Sequence, residues 1–160
     1  MPFYNQSTIN AVGDVRLGIR VDRATATVTV ATVPIFNVVG GRVEMTALRG
    51  EITTDIPVAA TTLQITHLTT DATAVVTPLC IACLTISGYT APRMFALPAA
   101  VGGTLVVSTA NGSIELDAPS YALKTGSLQL VGGGAASTTG LIKWSLWYFP
   151  LDEGAYVEAA

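Results

Sequence analysis

The chain has 160 residues, enough for one domain whose core needs neither a metal nor a disulfide. Charged residues make up 12%, about half the usual share, while 50% of the chain is hydrophobic and the mean hydropathy is +0.53. The net charge of −3 and a single His argue against nucleic-acid binding and His-centred hydrolysis, and so little charge points to a surface covered in an assembly.

The start, Met1 to Gln6, has neither the basic nor the apolar region of a secretory leader. Residues 1–24 read as an extended N-terminal arm or first strand, in which Val15, Leu17, Ile19 and Val21 alternate with Arg16 and Arg20. The first 50 residues hold five Arg against Asp14, Asp22 and Glu44, a balance of +2. The remainder holds Arg93, Lys124 and Lys143 against eight acids, a balance of −5. Three Arg within 16–23, interrupted by Asp22, fall short of a nucleic-acid stripe and suit an acidic protein neighbour.

From Thr25 the β signal is strong, because Thr and Val side chains are stiff at χ1 and fit a pleated surface. Ile35 to Val39 runs into Gly40-Gly41 and then a strand from Arg42 to about Thr54, which predicts a hairpin. Thr61 to Leu68 alternates, with Leu63, Ile65 and His67 on one face. Ala74 to Ser87 is nearly continuously apolar apart from Pro78 and reads as a strand buried on both faces. The stretch 88–103 is rich in Gly and Pro and reads as a long loop. Short strands follow at Thr104–Ser108, Ser113–Leu116 and Gly126–Val131, with a hairpin signal at Asn111-Gly112, and Gly132 to Gly134 opens a flexible loop. Leu141 to Phe149 is the last strand, with Ile142, Trp144, Leu146 and Tyr148 facing the core. Trp147 and Phe149 face the other way and need cover, either from a loop of the same subunit or from a partner, which makes them candidate subunit-interface residues.

Eight to ten short strands without a helical stripe predict an all-β fold, an antiparallel, jelly-roll-like β-sandwich at 25–160 behind the N-terminal arm. Residues 72–92 and 94–114 are uncharged and long enough to cross a bilayer, but their Thr, Pro and Gly argue against membrane helices.

No catalytic, cofactor or metal site is expected. Cys80 and Cys83 form one Cys-x-x-Cys, but on a strand residues three apart point to opposite faces, and zinc needs further ligands. They read as buried, reduced, structural thiols. Glu115 and Asp117 share a strand face with no acid opposite, so a paired-carboxylate hydrolase is not favoured. The Gly clusters lack the Lys-Ser/Thr of a phosphate loop.

The stretches 34–43 (PIFNVVGGRV), 48–54 (LRGEITT) and 140–155 (GLIKWSLWYFPLDEGA) resemble capsid decoration (cement) proteins of tailed bacteriophages. The resemblance implies a structural virion protein, made in the bacterial host cytoplasm and carried on the outer capsid surface. It would bind the major capsid protein as a homo-oligomer, a trimer in such proteins, with no nucleic-acid or membrane partner and no cofactor. Phe3, Tyr4, Arg16, Arg20 and Arg23 are then the candidate capsid contacts. The alternative is a phage fibre, knob or adhesin domain that binds a host-surface glycan, with Tyr89, Tyr121 and Trp147 as candidate platforms.

Overall fold

The computed structural model describes residues 17–57, 61–114, 120–135 and 139–160. They form eleven strands in two antiparallel sheets, a β-sandwich as expected. The first sheet contains β1 (Ile19–Thr27), β10 (Leu141–Pro150), β3 (Val43–Thr54), β6 (Met94–Ala96) and β7 (Val106–Val107) in that order, with β8 (Tyr121–Leu123) also on β3. The second runs β11 (Tyr156–Ala159), β2 (Thr32–Val39), β9 (Gly126–Gly134), β4 (Thr61–Thr69), β5 (Val76–Pro78). No helix among the described residues is long and apolar enough to cross a membrane.

The core lies between the sheets. Ile142, Trp144, Leu146 and Tyr148 of β10 all point into it, as their alternation predicts. Trp144 packs on Phe95 of β6 with ring centroids 6.1 Å apart. From the second sheet come Phe36, Val38, Leu63, Ile65, Leu128 and Leu130. The buried areas of such aromatic and branched side chains supply most of the driving force for folding.

Five local expectations are corrected. Gly40-Gly41 does not close a hairpin, since β2 and β3 lie in different sheets. Both edges of β2 are taken by β11 and β9, so the chain must cross the sandwich at the two glycines, with φ +77° and +152°. The same freedom that suits a primed turn suits this corner, and only the partners of the flanking strands distinguish them.

Residues 74–87 are not a doubly buried strand. Pro78 ends β5 after three exposed residues. Beyond it the chain becomes a strap between the sheets. Its Leu79, Cys83 and Ile86 amides donate to the Ile65, Leu63 and Thr61 carbonyls of β4, and its Ile81 amide donates to Gly103 O at 2.7 Å.

Third, the 88–103 loop contains β6, which pairs with Arg49–Glu51 of β3. Fourth, Gly132 to Gly134 are no loop but the end of β9, opposite Leu63 to Thr61. A β-carbon on Gly132 would stand 1.9 Å from Thr29 O, so glycine is needed for the β1–β2 turn to lie over this strand. Fifth, Thr104–Ser108 shortens to Val106–Val107, and Asn111-Gly112 forms a turn closed by Gly112 N–H to Thr109 O at 3.1 Å without ladder pairing at Ser113 or Ile114. The sequence reading also missed β8 and β11, which are only three and four residues long.

Candidate functional site

The candidate residues fall into separate places. Phe3, Tyr4 and Arg16, like Glu115 and Asp117, lie outside the described residues. β1 crosses the expected boundary at residue 24, because Ile19 to Thr27 pair along β10. Strand alternation then separates the two remaining arginines. Arg20 is opposite Trp147 on the outer face, while Arg23 is opposite Trp144 on the inner side.

On the outer face, Trp147 lies between two guanidinium groups. Arg20 Cζ is 5.1 Å and Arg49 Cζ 4.8 Å from the indole centroid. Each contact is worth about 0.5–2 kcal/mol, rising as water is excluded. Beside them, Arg20 Nε donates to Asp22 Oδ1 at 2.9 Å, and Ser145 Oγ donates to the same oxygen at 2.5 Å. Lys143 Nζ stands 4.0 Å from Asp22 Oδ2. Burial opposes ionisation of Asp22, but the Ser145 hydroxyl, the Arg20 guanidinium and the Lys143 charge outweigh it and hold the carboxyl below its ordinary value.

Arg49 has no such partner. Its Nε is buried without a hydrogen bond, and it makes no ion pair among the described residues. Burial and the neighbouring Arg20 charge both lower its pKa. A cation on an aromatic face with no ion pair among the described residues, in a chain so poor in charge, is a ready donor to a carboxylate from outside. The partnering role of Arg49 was not apparent from sequence. Only the β3–β10 register, with Arg49 opposite Ser145, brings it to the indole.

Phe149 shares this face and is half-buried. Gly18 lies against its ring and against Tyr148 O, and the Leu17 carbonyl accepts a hydrogen bond from Thr46 Oγ1. Both large aromatics of the second face thus receive cover from their own chain.

Arg23 instead borders an apolar cavity of about 270 Å³ whose walls include Val28, Val33, Leu130, Ile142 and Trp144. Its Nε donates to Ala160 O at 3.3 Å. Cys80 and Cys83 also depart from expectation: both thiols point inward. The strap is not a regular strand, so their spacing of three does not send them to opposite faces. Cys80 Sγ accepts from Ile65 N–H and Cys83 Sγ from Leu63 N–H, each at 3.3 Å. Both are free thiols, and burial pushes their pKa up.

The three aromatic glycan candidates differ. Tyr89 is covered by the Arg93 guanidinium at 4.3 Å, and Trp147 by two arginines. Tyr121 lines a cleft of about 360 Å³ with His67, Asp71 and Lys124. Its hydroxyl donates to Leu79 O at 3.2 Å, Lys124 pairs with Asp71 at 3.1 Å, and His67 Nε2 lies 3.1 Å from Lys124 O. Burial pulls the His67 pKa down, against the Lys124 carbonyl and the Asp71 charge.

No protein-family model matches this chain, and no curated protein matches it. Among solved structures, the chain overlaps part of one in the structure of infectious bursal disease virus, Gx strain, at 12% identity and a TM-score of 0.28. The overlap takes in 87% of this chain and 33% of that one, so this chain spans about a third of its length. It is too loose to equate the two folds.

Proposed function

We propose that this chain is a non-enzymatic virion protein that decorates and stabilises the outside of a bacteriophage capsid as a homo-oligomer. The reading joins the likeness to phage decoration proteins to the outer face of the first sheet. The observation that carries it is the Arg20–Trp147–Arg49 stack, in which Arg49 has no ion-pair partner among the described residues. Such a stack fits an acidic protein surface: the indole supplies desolvated area and the guanidinium groups read carboxylates.

The test is co-sedimentation with capsids assembled without this protein. Wild type is expected to bind, and to bind more weakly as salt rises, because the contact is between opposite charges. Arg49→Glu is expected to weaken binding by about tenfold or more, the effect of removing one charge-assisted contact and adding a repulsive one. Equal binding by both proteins, or binding that salt does not alter, would sink this reading.

A second reading, recognition of a neutral host-surface glycan, is favoured by one observation: Tyr121 lines a cleft whose Asp71 and Lys124 charges cancel. Binding to bare cells that Tyr121→Ala removes, without binding to capsids, would support it instead.

A further inference from the structure

Where β5 and β7 end the two sheets, residues 75–105 build a wall almost without charge. From residue 72 to 114 the only charged residue is Arg93, and its guanidinium lies on Tyr89. Nine large hydrophobic side chains are exposed among the described residues, and five of them stand here: Val75, Val76, Ile81, Leu84 and Val101. Scattered exposed apolar residues are ordinary, but a strip of them beside an open strand edge marks an interaction site.

The wall is also held in place. The strap is hydrogen-bonded to β4 on one side, and on the other Ile81 donates to Gly103 O and accepts from Leu105 N–H at 2.9 Å. With Cys80 and Cys83 turned inward, Ile81 and Leu84 are left facing out, 56% and 83% exposed. Little conformational entropy remains to be lost when a partner covers them.

We infer that this wall is the surface through which copies of the chain associate, which deepens the homo-oligomeric part of the proposed function and rests on it. The occupant is a second copy on grounds of charge. A chain of net charge −3 repels its own copies wherever its acids meet, and the wall lies in the longest acid-free stretch of the sequence, 72–114. An acidic shell would gain nothing here that it does not find at the Arg20–Trp147–Arg49 patch, which lies across β1, β10 and β3. β5 also ends the second sheet with one side of its backbone unpaired, an edge that self-association would cover. Self-association is thereby placed away from Trp147 and Phe149.

Sedimentation equilibrium on the full chain tests the inference, with Leu84→Asp and Val101→Asp as separate variants. Both side chains are largely exposed, so neither change should alter the fold, which circular dichroism and thermal unfolding check. Wild type is expected to sediment as an oligomer, each variant to associate about tenfold more weakly or to run as a single chain, and Arg49→Glu to keep the wild-type mass. Variants that keep the wild-type mass, or a wild type that is a single chain at high micromolar concentration, would overturn it. So would a Leu84→Asp protein that keeps its mass but no longer binds capsids, because the wall would then be a shell contact. Loss of mass in Leu84→Asp alongside a wild type that ignores capsids would retain the self-association surface and remove the decoration reading.

Discussion

Asp152 is held on Arg42 by three hydrogen bonds, from the backbone amide at 2.7 Å and from Nε and Nη2 at 3.0 and 2.8 Å. The Arg42 side chain and amide pull its carboxyl down to about 2 from an ordinary 3.8. Because the fold favours the charged form, this clamp acts fully above about pH 4 and is lost as pH falls through 2. Thermal unfolding of wild type should therefore weaken between those values, and Asp152→Asn should flatten the profile there while lowering the midpoint at neutral pH. An unchanged acid profile in the variant would remove the clamp from the account. At this scale the sequence is readable where alternation governs, as in the inward four residues of β10; it groups Arg23 with Arg20, and the pairing of β1 with β10 separates them. It is silent where a contact depends on register, as with Arg49, or on an irregular backbone, as with the two inward thiols.

Among the elements, the strap does the work of a missing strand. The edge of β4 beyond β5 is satisfied by three strap amides and by the two thiols that accept from Leu63 and Ile65. Cys83→Ala should cost about 1–3 kcal/mol by leaving a buried amide unpaired, and Cys83→Ser should cost less because the hydroxyl can accept the same bond. Urea denaturation of the two variants measures the difference, and equal losses would mean that packing alone is at stake. Since burial raises both thiol pKa values, a thiol-specific disulfide reagent should react with the folded protein only at the rate at which it opens. The apolar run at 74–87 could not show this arrangement. A run of hydrophobic residues records that cover is needed, and Pro78 records a break, but neither says that the chain will bond to β4 on one side and to Gly103 and Leu105 on the other. Long alternating elements such as β4 and β10 were legible for the opposite reason, since one face of each is committed to the core over its whole length.

Over the whole molecule, sheet order decides which segments can be removed. Residues 19–24 supply most of β1, a strand of nine residues, and β1 covers the outer edge of β10. Deleting residues 1–24 should therefore lower the unfolding midpoint and strip Arg20 from Trp147, whereas an arm that ended at residue 24 would leave the sandwich intact. A truncated protein with wild-type stability would contradict the pairing of β1. The class of fold was legible from strand count and patterning, while the strand order was not, because no local signal reports that β1 and β3 take the same late partner. That order has a consequence for synthesis. β10 is inserted between two strands made more than eighty residues before it, so on the ribosome β1 has no link to the rest of the first sheet until residue 150 has left the exit tunnel. The nascent chain must carry the facing edges of β1 and β3 open until β10 emerges, although both strands were made long before it.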